Sequence, residues 1–319
     1  MNRRHKVWVA GVPPVSGGKG HTAERHQAVA AAMGQIPNHA IGRIVALTAI
    51  VLSGACTGGG GGEASDASEG PTHQPSASSA PSAGGSVEEL VQVNGRGLYL
   101  ACTPGEGPTV VFSHGVGGQS GDWDATLSNL ADIPTCVYDR VNVGLSDREA
   151  GRHSATDDVE DLHALLEVAE IEPPYVLVGH SFGGMEMLMY AGTYPEDVEG
   201  IVLADATLPF ESLLDPPDRR VEIRAELNAN PEGVDFYGAY AEARALVASI
   251  PGVPVTYLFG AQQVLPPEWE EGAYEAALHR FLEDLPDGRL VELAADHDLP
   301  LDEPEAIADA VRQTLSASG

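Results

Sequence analysis

The chain has 319 residues, 43% of them apolar, with 17 basic against 47 acidic residues and a formal charge of −30. The few basic residues crowd toward the front: from residue 57 onward there are 11 arginines, no lysine and 46 acids, a charge of −35. Such a surface repels phosphate backbones and anionic lipid, which argues against nucleic-acid binding and speaks for solubility rather than for any particular substrate.

Residues 43–56 read RIVALTAIVLSGAC, a positive charge followed by an apolar stretch and then small residues before a cysteine. This is the layout of a secretory signal, and the run is too short to span a bilayer. Its ending resembles the bacterial lipoprotein box, although Ser53 stands where that box usually has leucine. The resemblance implies that Cys56 becomes the lipid-bearing first residue of an exported chain held at the outer face of the cell membrane. An ordinary cleaved signal is the alternative. The signal lies unusually far from Met1, which makes Met33 a candidate initiator. Residues 57–86 are Gly, Ser, Ala and Pro with scattered acids and read as a disordered tether. Residues 87–319 remain as one folded domain.

In that domain EELVQV and GLYLAC are strand-like and joined by the turn pair Asn94-Gly95. PTVVFSHG (108–115) is a β-rich run ending at glycine, DWDATLSNLAD has helical spacing, and TCVYDR (135–140) is strand-like again. SATDDVEDLHALLEVAEI (154–171) puts Val159, Leu162, Leu165 and Leu166 on one helical face. YVLVGHS, a helix from Ser181 to about Tyr194, GIVLADA, a longer helical region, VPVTYLFG, a helix, RLVELAAD and a last helix complete the series. Asp302 and Glu305 are the expected N-cap pair of that last helix, with Pro304 in its first turn. Apolar strands alternating with helices predict an α/β fold: a mostly parallel sheet covered on both faces, with its chemistry at the C-terminal strand ends.

At those ends stand three motifs. Gly179-His180-Ser181-Phe182-Gly183 follows a strand and opens a helix, the setting of a G-x-S-x-G nucleophile elbow. His114-Gly115-Val116-Gly117-Gly118 ends the earlier strand, and Asp296-His297-Asp298 follows the last one. With these motifs in this order, residues 88 to 317 resemble the α/β-hydrolase family. The resemblance implies an eight-stranded sheet with a small helical cap, Ser181 as nucleophile, and His297 as the base that takes its proton. It also implies an oxyanion hole formed by the backbone N–H groups of Val116 and Phe182. His180 and His114 read as packing residues, and His153, His163 and His279 as surface residues. In YDRVNVGLSD the family usually has glycine where Asn142 stands. Asn tolerates left-handed backbone, and Asp139 and Arg140 read as fixing this loop.

The third member of a triad must orient the imidazole and offset its charge. Much of the family carries it after the strand VPVTYLF, where this chain has Gln262 and Gln263. A minority arrangement places it one strand earlier, at Asp205. Glu268 and Glu270 are the alternatives, and a site with no acid is a third. The family's sheet order makes the strands of Cys102 and Cys136 neighbours, which implies a disulfide. Residues 206–252 are too many for a bare crossover and form the expected cap. The reading is thus an exported serine hydrolase of small carboxylic esters without metal or organic cofactor, touching the membrane only through its lipid. Amide or peptide cleavage on the same machinery is the near alternative, and a catalytically idle binding protein the distant one.

Overall fold

In the computed structural model, which describes residues 86–285 and 287–318, the first strands form the hairpin that Asn94-Gly95 announces. β1 (Val87–Val93) runs antiparallel to β2 (Arg96–Thr103). Both turn residues have positive φ, 53° at Asn94 and 88° at Gly95, the backbone that a two-residue hairpin turn requires. The signal-like segment with Cys56, the candidate initiator Met33 and the tether up to residue 85 lie outside the described residues.

Next come β3 (Thr109–Ser113), β4 (Thr135–Tyr138), β5 (Tyr175–His180), β6 (Val198–Ala204), β7 (Pro254–Gly260) and β8 (Asp287–Leu293). The described residues form one eight-stranded sheet in the order β1-β2-β4-β3-β5-β6-β7-β8. β2 pairs antiparallel with β4, and every pair from β4 to β8 is parallel. Cys102 and Cys136 lie directly opposite each other in the β2–β4 register and are joined by a disulfide.

The central strands are apolar on both faces, and the period of two shows in how they divide. Phe112, Val176, Val178 and Val202 enter one buried cluster, while Val111, Leu177, Ile201 and Leu203 enter the other. The first cluster is covered by α1 (Asp124–Ser128) and the C-terminal helix; the second by α2 (Ala155–Val168), α3 (Phe182–Thr193) and the insert. In α2, Ser154 accepts from the Asp157 N–H at 3.1 Å, and the Asp157 carboxylate accepts from the Ser154 N–H at 2.8 Å, a reciprocal cap. Val159, Leu162, Leu165 and Leu166 are fully buried as their spacing predicts, each contributing about 1.5–3 kcal/mol.

Between β6 and β7 the insert holds α4 (Arg220–Leu227) and α5 (Phe236–Leu246), and α6 (Ala273–Asp284) precedes β8. α5 buries Phe236, Ala239, Tyr240 and Ala243 and packs on α3 and α2. Part of the insert is therefore a layer over the sheet as well as a roof over the strand ends. After β8 a one-turn helix, α7 (Leu299–Asp302), precedes α8 (Pro304–Ser318). This corrects the expected cap: Asp302 ends the short helix, and Pro304 is the first residue of the long one. Among the described residues no helix is long and apolar enough to cross a membrane.

Candidate active site

Ser181 sits at the sharp bend between β5 and α3 with φ 51° and ψ −124°, a backbone region that a residue with a side chain rarely adopts. Such a residue costs about 1–3 kcal/mol and must be held by its surroundings. Here the Ser181 carbonyl accepts from the N–H of Gly184 at 3.0 Å and of Thr207 at 2.9 Å. The bend also needs its glycines. A Cβ on Gly179 would lie 2.4 Å from the Gly183 carbonyl oxygen, and one on Gly183 would lie 2.4 Å from that of Ser113. These close approaches explain why the G-x-S-x-G spacing could be read so directly from the sequence.

Asp205, one residue beyond β6, also has positive φ, 42°. Its own N–H donates to Leu258 at 2.8 Å, and its side chain is buried. His297 Nδ1 donates to Asp205 Oδ2 at 2.6 Å. The other carboxylate oxygen accepts from the Gly260 N–H at 3.1 Å and from Gln263 Nε2 at 2.8 Å. It is thus Asp205, not Glu268 or Glu270, that meets the ring, and the amide at the family's usual acid position holds that carboxylate from behind.

The pair shifts both groups. Burial pushes the Asp205 carboxyl up, against the pull of the His297 hydrogen bond and charge. Burial lowers His297 in turn, but the hydrogen bond and charge of Asp205 outweigh it, with the charge of Asp298 adding, and the ring ends above its usual value. With Nδ1 engaged, Nε2 is the nitrogen that can exchange a proton. His180 fastens this loop to the elbow: its Nε2 donates to the His297 carbonyl at 3.0 Å, and the two rings lie 4.8 Å apart. Burial, then the charge of His297, drives the His180 ring down to about 3, so it stays neutral.

Val116 lies in the loop after β3, where a Cβ on Gly115 would stand 3.2 Å from the Ser181 Cβ. Phe182 is the first residue of α3, so its N–H has no partner within the helix and lies at the positive end of the helix dipole. Asp139 Oδ1 accepts from the Ser120 N–H at 2.7 Å and Oδ2 from the Leu145 N–H at 2.8 Å, which fixes the loops around the site. Asn142 does take positive φ, 69°, where the family usually has glycine. Its side chain is also used: Nδ2 donates to the Glu232 carbonyl at 2.7 Å, and Oδ1 accepts from the Glu149 N–H.

A cavity of about 70 Å³ opens beside the His297–Asp205 pair, walled by Thr207, Glu211, Gln263, Trp269 and Tyr274. Glu211 is buried there, with Oε1 accepting from the Leu208 N–H at 2.8 Å and Oε2 in contact with the Tyr240 hydroxyl at 3.3 Å. Burial lifts its carboxyl to about 8, so it is mostly neutral at pH 7. Among the described residues no group of three or more His, Cys, Asp or Glu side chains is arranged to hold a metal ion.

Two of the expected surface histidines are half-buried instead. His153 Nε2 lies 3.0 Å from the buried Asp158 carboxylate, and His163 stacks on Tyr194 with ring centroids 3.8 Å apart. Polar surroundings hid partners on the inner face of α2, for His153, and at the C-terminal end of α3, for His163. His279 is exposed as expected. Sequence reasoning also missed Glu186, although a lone acid in the apolar helix FGGMEMLMYAG was a visible signal. It missed Glu211 and Glu232 in the insert as well; nothing in their neighbourhood pointed to burial.

The sequence model of the alpha/beta hydrolase fold family matches residues 108–291, more than half of the chain. The chain is 33% identical over 124 residues to the uncharacterized protein YqjL of Bacillus subtilis, covering 38% of this chain and 49% of that one. It is 30% identical over 135 residues to the 2-(acetamidomethylene)succinate hydrolase of Mesorhizobium japonicum, covering 42% and 48%. The chain thus spans about half the length of these relatives. Among solved structures the carboxylesterase CesB of Bacillus subtilis superposes with a TM-score of 0.56 at 20% identity, covering 72% of this chain and 92% of that one, a likeness of fold. With the sheet order, the elbow and the matched segment together, the chain belongs to the α/β-hydrolase fold family.

Proposed function

We propose that this protein is a serine hydrolase of small carboxylic esters, working through Ser181, His297 and Asp205. The observation that carries the reading is the 2.6 Å hydrogen bond from His297 Nδ1 to a buried Asp205 carboxylate, on a loop fastened one residue from the strained Ser181. A serine hydroxyl is a weak nucleophile at neutral pH and needs an adjacent base. In the proposed reaction His297 Nε2 takes the Ser181 proton as Oγ attacks the ester carbonyl. The resulting imidazolium is offset by Asp205. The oxyanion is held by the N–H groups of Val116 and Phe182, each such donor being worth about 3–4 kcal/mol of barrier. The proton passes to the departing alcohol, and water, activated by the same ring, releases the acid from the acyl-enzyme. No cofactor enters this sequence. That a relative is named a hydrolase supports the reaction class; the preference for esters is our own reading.

The proposal extends to location: export through the 43–56 signal and a lipid on Cys56, leaving the domain on a tether outside the membrane. The Cys102–Cys136 disulfide favours an oxidising compartment. Radiolabelled palmitate incorporated by wild-type cells but not by Cys56→Ser supports the anchor; equal labelling of both refutes it. For the activity, short-chain p-nitrophenyl esters and matched anilides assayed on wild type and Ser181→Ala form the test. Ester turnover that disappears in Ser181→Ala supports the reading. Anilide turnover exceeding ester turnover would replace the ester with an amide.

A further inference from the structure

Arg140 and its two carboxylate partners, Glu186 and Glu232, have side chains no more than 1% exposed. Burying three charged groups is costly unless every polar atom finds a partner, and here the partners are specific. Arg140 Nη1 donates to Glu186 Oε2 at 3.0 Å and to the His114 carbonyl at 2.9 Å. Nη2 donates to the Gly115 carbonyl at 3.2 Å and to Glu232 Oε1 at 3.0 Å, while Nε donates to Glu232 Oε2 at 2.9 Å. Glu186 belongs to the elbow helix α3, and Glu232 belongs to the insert. Three segments therefore meet at one guanidinium.

The contacts fall on both peptide units that flank Val116. The Gly115 carbonyl and the Val116 N–H belong to one planar peptide, so fixing the oxygen fixes the direction of the N–H. The following peptide is fixed from its other end: the Gly117 N–H donates to Glu232 Oε1 at 2.5 Å. The same carboxylate forks onto Arg140, so the insert grips the loop twice, once directly and once through the guanidinium. Its own backbone is held by the Asn142 side chain, whose Nδ2 donates to the Glu232 carbonyl. The asparagine that replaces the family's usual glycine thus anchors the insert to the loop after β4, which also carries Arg140.

We infer that Glu232 is a positioning residue for the reaction: through the Gly117 amide and Arg140 it aims the Val116 N–H at the oxyanion, so the docked cap sets the strength of the oxyanion hole. The inference rests on the reading of Val116 as an oxyanion donor. A misaimed donor weakens the transition state and leaves ground-state binding nearly untouched. Glu232→Gln removes the charge and one arm of the fork with little change of shape, and should lower kcat by about 10–100-fold with KM within about threefold.

The test measures kcat, KM and the inhibition constant of an alkyl trifluoromethyl ketone, which forms a tetrahedral oxyanion on the serine. Wild type, Glu232→Gln, Glu232→Ala with and without formate, and Asn142→Ala are compared. The expected pattern is a rise in the ketone's inhibition constant matching the fall in kcat/KM, partial restoration of Glu232→Ala by formate, and a smaller fall in kcat of about 3–10-fold in Asn142→Ala. Asn142→Ala leaves no unpaired buried charge, so it reports even where the Glu232 variants fail to fold. Unchanged kcat in folded Glu232→Gln, a loss confined to KM, or an unchanged ketone constant would overturn the inference. A wild type that turns over no ester and takes no fluorophosphonate on Ser181 removes the hydrolase reading itself, so the two failures are told apart.

Discussion

Gln263 Nε2 donates to Asp205 Oδ1 at 2.8 Å, so the position that commonly carries the acid in this family here carries an amide that holds the carboxylate facing His297. The amide and the Gly260 N–H together leave Oδ2 free to face His297. Gln263→Ala should lower kcat/KM by roughly 10-fold, because one of two groups orienting the carboxylate remains. Asp205→Asn should lower kcat by about 10⁴, since an amide neither fixes the right tautomer nor offsets the imidazolium. Steady-state kinetics with a thermal melt for each variant checks both. Near-normal turnover of Asp205→Asn would move the acid's role to another carboxylate.

The shift of His297 fixes a pH dependence. In the proposed reaction the base must be neutral to accept the Ser181 proton, and Asp205 holds the His297 pKa above the ordinary 6.5 despite burial. Activity should therefore fall on acidification, with the midpoint of the kcat/KM limb above 6.5. In Asp205→Asn the residual activity should show a midpoint shifted to lower pH, because burial then acts on the ring without the opposing charge. A pH–rate profile of both proteins checks the sign.

Glu211 makes a stability prediction that activity does not enter. Its folded-state value of about 8 lies above the ordinary 4.5, so folding favours the protonated carboxyl. That contribution is complete below pH 4.5 and is lost as pH rises through about 8. Glu211→Gln keeps an acceptor for the Leu208 N–H and cannot ionise. Its melting temperature relative to wild type should therefore rise between pH 5 and pH 9. Parallel melts that show no such trend would contradict the assignment.

The elbow and the strands along the chain were legible because each is written in local chemistry, whereas the histidine loop and the sheet order were legible through the family resemblance. Glycines are required where backbones touch, β-rich runs end at them, and motifs fall in a fixed order along the chain. Asp205 was legible only through the family resemblance, which left Glu268 and Glu270 open, since the ring it meets lies on a loop 92 residues away in sequence. The disulfide pairing needed the sheet order. The Arg140–Glu186–Glu232 cluster was not legible, because its members come from a loop, an elbow helix and an insert, and no spacing relates them. His163 was misread for the same reason, since Tyr190 and Tyr194 become its neighbours only when helices pack; His153 was misread because its partner Asp158, although close in sequence, turns inward. The displaced cap of α8 has a different cause, a one-turn helix too short for periodicity to reveal.

The most direct measurement is mass spectrometry of the wild-type protein and His297→Ala after reaction with an alkyl fluorophosphonate at neutral pH. The expected result is one adduct in wild type, on the peptide containing Ser181, and labelling slowed by at least about 10³-fold in His297→Ala. No adduct on Ser181, or equal labelling rates in the two proteins, would contradict it.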